Sequence, residues 1–402
     1  MINIEQFTKD HVTYRQESLF HKDIENNKEE LEREINGKSV LVIGGAGSIG
    51  SSFIRSILKF NPAKLVVVDL NENGLAELTR DLRSTESLSV PEEYYTYTLD
   101  FADPIFEKIF KEHNGFDIVA NFSAHKHVRS EKDRYSVEAL LRNNVFKARK
   151  LLELLKQNPP KHFFCVSTDK AANPVNIMGA SKKLMEELIM SYTRDFKVTT
   201  ARFANVAFSN GSLPLSFFDR VMKNQPLVAP SDVKRYFVSL DESGEICMLA
   251  CILGRNGEIF FPKLPEEGMK TFSSICDDFV KELGYDKHEC HTEAEAKHFA
   301  AAMDKDSKEY PVLYQKSDTT GEKAYEEFFV PGEEVDMERY ASLGVIMGND
   351  VENAEAVNHF IEKLDGIFND HDFTKAQVVE CIKEFIPNFE HEEKGKNLDQ
   401  KM

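Results

Sequence analysis

The chain has no run of eighteen consecutive apolar residues, so no segment reads as a membrane-spanning helix. Nothing near its start resembles the apolar core of a signal peptide. Its six cysteines (Cys165, Cys247, Cys251, Cys276, Cys290 and Cys381) are scattered without a Cys-x-x-Cys pair, which argues against the common zinc and redox spacings. These absences together give the expectation of a cytoplasmic protein whose thiols stay reduced. Basic residues are in deficit, 50 Lys and Arg against 68 Asp and Glu, which leaves a formal net charge of −18. A field of that sign repels phosphates at long range and disfavours nucleic acid or an anionic membrane as a partner. Any anionic substrate has to be caught by a local basic site.

What is present is enough apolar sequence, 41% of 402 residues, for a sizeable core. From Ser39 short apolar runs alternate with helix-length amphipathic stretches: Val40 to Gly44, Leu65 to Asp69, Tyr94 to Leu99, Asp117 to Asn121, Phe163 to Ser167, Val198 to Phe203 and Ile259 to Phe261. Strands that apolar, separated by helices, predict an α/β fold with a parallel sheet covered on both faces. Residues 1–38 read as a helical N-terminal extension, with Leu19, Phe20, Ile24, Leu31 and Ile35 at helical spacing between Gln16 and Asn36. Residues 39–265 form the nucleotide-binding unit, with substrate-binding segments interleaved at about 205–240. Residues 266–402 form a C-terminal substrate-side and helical extension. In it His288 to Lys308 is a polar loop, Tyr340 to Phe385 holds at least two helices, and the charged end from His391 is frayed.

The first of these strands runs into Gly44-Gly45-Ala46-Gly47-Ser48-Ile49-Gly50 and then a helix. Glycines at 44, 47 and 50 allow a tight turn, close approach of backbone to a pyrophosphate, and close packing of helix on strand. The helix starting near Ser48 and Ile49 then aims its amides at the phosphates. Asp69 ends the next strand, where its carboxylate accepts from ribose hydroxyls and repels a 2′-phosphate; its neighbours Leu70, Asn71 and Glu72 offer no arginine to hold one. NAD is therefore expected rather than NADP. Asp100 and Phe101, ending the third strand, are placed beside the adenine. The Gly-x-x-Gly-x-x-Gly spacing resembles the extended short-chain dehydrogenase/reductase superfamily, which implies a Rossmann doubly wound parallel sheet with a smaller substrate-binding region.

Three further stretches sharpen the resemblance. Asn121-Phe122-Ser123-Ala124-His125-Lys126-His127-Val128, Ser167-Thr168-Asp169-Lys170-Ala171-Ala172-Asn173-Pro174, and Arg202-Phe203-Ala204-Asn205-Val206 with Ser209-Asn210-Gly211-Ser212 are similar to segments of nucleotide-sugar 4,6-dehydratases of the UDP-N-acetylglucosamine branch. Met178, four residues before Lys182, stands where the superfamily usually has its tyrosine base, and the same replacement marks the polysaccharide-biosynthesis dehydratases. A methionine has no proton to give or take, so acid and base come from elsewhere. The resemblance covers about residues 38–265. Ala204 in place of Gly, and Phe122-Ser123 in place of Ala-Ala, depart from the pattern.

The resemblance implies an NAD-dependent hydro-lyase that acts on UDP-N-acetylglucosamine, for deoxy amino sugars of surface glycans. Lys170 is then the base at C5, Asp169 the acid for the leaving C6 hydroxyl, Thr168 a partner of the C4 hydroxyl, and Lys182 the anchor of the nicotinamide ribose. Met178 lines the sugar pocket and Ser123 contacts the cofactor. Lys126, Asn205, Ser212, Lys234 and Arg235 are the implied substrate binders, and homo-oligomers are the family habit. The group that deprotonates the C4 hydroxyl is open, with Asp169 acting through Thr168 as the expectation. A UDP-hexose 4-epimerase, sharing fold and cofactor, and a non-catalytic NAD-binding sensor are the rival readings. His288, Cys290, His291 and His298 match no common zinc spacing, so no metal is expected. Ser317 to Glu327 reads as a structural cap or subunit contact.

Overall fold

The computed structural model describes residues 2–317, 325, 327–348 and 354–391. All seven apolar runs form strands within a residue or two of their expected places, the first six as β1 Ser39–Ile43, β2 Lys64–Asp69, β3 Glu93–Thr98, β4 Ile118–Asn121, β5 His162–Val166 and β6 Val198–Ala201. They pair in parallel in the order β3-β2-β1-β4-β5-β6, and strand Ile259–Pro262 continues the sheet in parallel beside β6. The order reverses between β1 and β4, which opens a crevice at the carboxyl ends of those strands, where a doubly wound sheet takes its ligand. β1, β4 and β5 are buried on both faces, which explains their unbroken apolar sequence.

The covering helices start on local signals. Asn71 caps Glu72–Ser84, Asp103 followed by proline starts Pro104–Glu112, and Ser239 with Glu242 makes a capping box for Leu240–Leu253. Ile177–Met190 and Leu240–Leu253 are buried nearly all round, so each is enclosed by neighbours rather than lying on the surface. The helix expected from Val137 to Gln157 runs as Arg134–Leu141 and Lys147–Leu155 with a π-helical turn, Arg142–Phe146, between them.

Three expectations are corrected. The Gln16–Asn36 stretch forms two short helices, His21–Asn26 and Lys28–Ile35, broken at Asn27. The supposed polar loop from His288 to Lys308 contains strand Asp286–Cys290 and helix Glu293–Ala302, and leads into strand Glu309–Gln315. With Leu227–Pro230 these make a separate three-stranded parallel sheet. Its edge strand buries only Cys290, and the helix buries only Ala296 and Ala300, so no apolar rhythm advertises either element. The sheet is also not wholly parallel. Leu343–Ile346 lies antiparallel beside Ile259–Pro262, with Val335–Asp336 outside it, so chain beyond residue 265 returns to the main sheet.

A second apolar core holds Phe217, Phe237, Ile275 and Phe279 on the substrate side, and Phe7 and Val12 of the N-terminal segment enter it. Farther along, Phe20, Leu31 and Ile35 join the main core. Arg15 forks onto Glu242 at 2.6–2.7 Å, and Asp23, 1% exposed, accepts from the amides of Ala341 and Ser342. Helices Ala354–Phe368 and Lys375–Phe385 pack their apolar faces into the main core. Of the Ser317–Glu327 stretch only Ser317, Tyr325 and Glu327 are described, and the charged end after His391 lies outside the described residues. Among the described residues no helix is long and apolar enough to cross a membrane.

Candidate active site

The glycine loop turns at the carboxyl end of β1. Gly44 has φ +76°, and a Cβ there would meet Ser123 N at 2.7 Å; a Cβ on Gly50 would meet Gly44 O at 2.3 Å. Both positions therefore accept only glycine, one for its left-handed backbone and one for helix-to-strand contact. Over Gly47 the space is open: beyond its chain neighbours, only Gly44 O, at 3.4 Å, lies within 4 Å of an ideal Cβ. Gly47 is the N-cap of helix Ser48–Leu58 with no side-chain cap, so the first amides of the helix face a cradle that an anion fits.

Asp69 braces this cradle, accepting from Ala46 N at 3.0 Å through one carboxylate oxygen and from Asn71 N at 2.9 Å through the other. Gly44, Asp69, Asp100, Phe101 and Ser123, all expected at the cofactor, line one crevice together with Asn143. The donors and acceptors there fit an adenosine and its pyrophosphate. Asp100 is also ion-paired with Lys147, so it orders the crevice wall. The Ser48 hydroxyl is turned toward the other side of the site, where it accepts from Asn210 N at 2.8 Å.

Thr168, Asp169 and Lys170 leave β5 in a single 3₁₀ turn, Asp169–Ala171. Asp169 is 2% exposed. Its Oδ1 accepts from Thr168 Oγ1 at 2.7 Å and from Lys170 Nζ at 3.0 Å. Lys170 also reaches Asn205 Oδ1 at 3.4 Å, which ties the turn to the Asn205–Val206 strand. Met178 and Lys182 sit in the first two turns of helix Ile177–Met190, both buried. Lys182 donates to Val166 O at 3.0 Å, and burial lowers its pKa against the opposing pull of Cys165 and Glu186. Lys126 donates to Asn210 O at 2.9 Å, and desolvation around its ammonium lowers its pKa although the side chain keeps solvent access.

On the substrate side, Asn205 N donates to Tyr236 O at 3.1 Å, which brings Arg235 beside the Asn205 strand. Arg235 is 5% exposed and Lys234 is exposed, so only the first is built into the wall. Ser212 caps helix Leu213–Met222 through Leu215 N at 3.4 Å, a structural use of the hydroxyl expected at the nucleotide. His288, Cys290 and Glu295 do gather, with ligand atoms within 4.8 Å of one another. The His288 ring stacks on Phe299, and Glu295 accepts from His291 N.

One residue escaped the motifs. Asn144, buried in the π-helical turn, accepts from His125 N at 2.8 Å and donates to His125 O and Ser181 Oγ, both at 2.9 Å. It thus clamps the segment after β4 to the helix that carries Lys182. Two adjacent asparagines in mid-helix, Asn143 and Asn144, were the available signal, since π-turns recur at functional sites.

Fold and site together define a doubly wound α/β protein with a dinucleotide cradle beside a buried Thr-Asp-Lys turn. The chain belongs to the polysaccharide biosynthesis protein family, whose model matches residues 40–347. It is 32% identical over 62% of its length to 73% of "Uncharacterized membrane protein MJ1061" of Methanocaldococcus jannaschii. A UDP-N-acetylglucosamine 4,6-dehydratase (inverting) of Campylobacter jejuni is 25% identical over 57% of this chain and 68% of its own. A UDP-glucose 4-epimerase of Rickettsia typhi is 27% identical over 60% and 70%. Against the longer capsular polysaccharide biosynthesis protein CapD of Staphylococcus aureus, 31% identical over 57% of this chain, the match spans 38% of the relative. Among solved structures, Pen from Bacillus thuringiensis superposes with TM-score 0.62 at 21% identity over 78% of this chain and 88% of its own. DesIV of Streptomyces venezuelae, a dTDP-glucose 4,6-dehydratase with NAD and TYD bound, gives 0.56 at 20% identity over 82% and 98%.

Proposed function

We propose that the protein is a nucleotide-sugar 4,6-dehydratase that holds NAD in the glycine-loop crevice and acts on UDP-N-acetylglucosamine. The observation that carries this reading is the Asp169 carboxylate, buried and shared between the Thr168 hydroxyl and the Lys170 ammonium, with Met178 where a phenol base would stand. Membership of the polysaccharide biosynthesis family and the similarity to the Campylobacter jejuni dehydratase support it.

NAD, when bound, supplies a place for the C4 hydride and returns it to C6. The rest falls to the chain's own residues. Asp169 as carboxylate takes the C4 hydroxyl proton through Thr168 Oγ1, which already points its hydrogen at Oδ1. Lys170, as the uncharged amine, takes the C5 proton, now acidified by the adjacent ketone. Asp169, carrying the proton from C4, gives it to the C6 hydroxyl, which leaves as water. Lys170 returns its proton to C5 as C6 gains hydride. Both groups end as they began, and the sugar has lost one water. Lys170 Nζ and Asp169 Oδ1 stand 3.0 Å apart, so both groups face the same part of the sugar ring.

The test is incubation with UDP-N-acetylglucosamine in heavy water. A product lighter by one water with deuterium at C5 is expected, because the proton on Lys170 exchanges with solvent. An unlabelled isomer of unchanged composition would instead establish the epimerase reading, which the Rickettsia typhi relative favours.

A further inference from the structure

A chain of polar contacts connects the catalytic turn to a distant segment that the motifs do not include. Ser167, next to Thr168, donates from Oγ to Glu186 Oε1 at 2.6 Å. Glu186 lies one turn beyond Lys182 on the same helix and is 1% exposed. Both its oxygens accept from Arg202, from Nε at 2.9 Å and from Nη2 at 2.8 Å. Arg202, 0% exposed, sends its remaining N–H groups to Glu333 at 3.0 and 2.9 Å and to the carbonyl of Phe328 at 3.0 Å. All five guanidinium donors are thereby used, forked onto two carboxylates at once.

Stability alone is a weak account of this arrangement. Two buried charged groups, with a third largely enclosed, are costly to desolvate, and well-packed apolar residues of similar volume generally serve a core as well or better. What the triad does offer is fixed geometry among the elements that carry the reaction. Through Ser167 it holds the end of β5, through Glu186 the helix of Met178 and Lys182, and through Arg202 itself the strand exit that leads to Asn205, the acceptor for Lys170. The segment bearing Glu333 is bound to the same place by rings: Phe328 lies 5.7 Å from Tyr236 and 5.9 Å from Phe261. Tyr236 is the residue whose carbonyl takes Asn205 N.

We propose that Glu186, Arg202 and Glu333 are positioning residues that hold Thr168, Asp169, Lys170 and Asn205 in reacting register, with residues 328–336 acting as a strap that delivers the Glu333 carboxylate. The proposal rests on the dehydratase reading for its kinetics, and on geometry alone for its structural consequence. Burial pushes the Glu186 carboxyl upward, but Arg202, Lys183 and Ser167 outweigh it and hold it below the usual range, so Glu186 meets Arg202 as a carboxylate at neutral pH.

The experiment compares the full chain with Glu333→Ala, Glu333→Gln and Leu82→Ala, measuring kcat, KM, melting temperature and the crystal structure of each. Leu82 is buried in helix Glu72–Ser84 against β2 and β3, on the far side of β1 from β6 and outside the strap, so its truncation controls for lost stability. Glu333→Ala is expected to lower kcat about 10- to 100-fold, the scale of a sub-ångström to ångström misplacement of reacting groups, with KM within about threefold of the parent. Glu333→Gln, which keeps an oxygen for Arg202, recovers part of that loss, and Leu82→Ala keeps the parental kcat while its melting temperature falls. In the Glu333→Ala crystal structure the Lys170–Asn205 contact is broken. An unmoved Thr168–Lys170 turn overturns the proposal whatever the substrate proves to be. So does a kcat loss that merely follows melting temperature as in Leu82→Ala, or a parental kcat in Glu333→Ala alongside an inactive Lys170→Met, which leaves the dehydratase reading standing. Should Glu333→Ala fail to fold, the same criteria apply to Glu333→Gln.

Discussion

Acidification from pH 7 to pH 5 is expected to weaken the fold through one imidazole. His162 opens β5 at 4% exposure, with Lys197 Nζ 3.1 Å from Nδ1 and Glu34 Oε2 3.1 Å from Nε2. An ammonium only donates, so Nδ1 carries the lone pair and Nε2 the hydrogen that goes to Glu34. Protonating Nδ1 would set two donors against each other in a dry place. Burial first, and Lys197 second, hold the imidazole at about 4 instead of 6.5, with Glu34 pulling the other way and losing. The unfolded chain takes up the proton below 6.5 while the folded one resists until about 4. The stabilisation is therefore present above pH 6.5 and is lost as pH falls through the folded value. At ~1.36 kcal/mol per pH unit the interval amounts to about 3 kcal/mol in full and about 2 kcal/mol by pH 5. Glu34, held at about 2 chiefly by Lys161, loses its contribution only below its ordinary 4.5 and so falls outside this window. Urea unfolding followed by circular dichroism from pH 7 to 5, on the parent and on His162→Gln, isolates the effect. The stability difference between the two should shrink by about 2 kcal/mol across that range. Parallel curves would refute the reasoning, because other titrating groups are common to both proteins.

Two further substitutions probe the framework. Gly50→Ala places a Cβ 2.3 Å from Gly44 O and 2.8 Å from Gly45 Cα, backbone atoms that cannot swing aside. A loss of about 1–3 kcal/mol in thermal unfolding is expected, together with loss of co-purifying NAD measured in the heat-released nucleotide. Asp23→Ala strands the amides of Ala341 and Ser342, which now donate to the carboxylate at 2.6 and 2.8 Å. It should lower urea-unfolding stability by about 2–5 kcal/mol, and a change below about 0.5 kcal/mol would show that water replaces the carboxylate there.

The parts of the fold legible in the sequence are those whose physics is local or periodic. Strands such as Val40 to Ile43 are apolar because both faces are covered, and Gly44 and Gly50 are glycine because backbone presses on them. The Thr168-Asp169-Lys170 turn is local too, two neighbours converging on one oxygen of the carboxylate between them. Strand Asp286–Cys290 escaped because an exposed edge selects polar side chains, and helix Glu293–Ala302 because two alanines are its only buried contacts. The break at Asn27 escaped because apolar spacing continues across it, and the antiparallel return of Leu343–Ile346 because four apolar residues carry no direction. Glu333 was invisible, and Asn144 was marked only by the asparagine beside it, for another reason: each acts on residues far along the chain, and a long-range polar pairing leaves no rhythm around either partner. The Ser212 hydroxyl shows the converse, a motif residue whose visible work is to cap a helix.

The central claim is that Asp169 and Lys170, and no phenol, carry the protons of the elimination. Its most direct measurement is the product spectrum by NMR after incubation of UDP-N-acetylglucosamine with the Asp169→Asn/Lys170→Met double variant, beside the parent chain. The account predicts a 4-keto-6-deoxy sugar from the parent and none from the variant, with NAD retained by both. Formation of the same product by the variant at a rate within about twofold of the parent would contradict it.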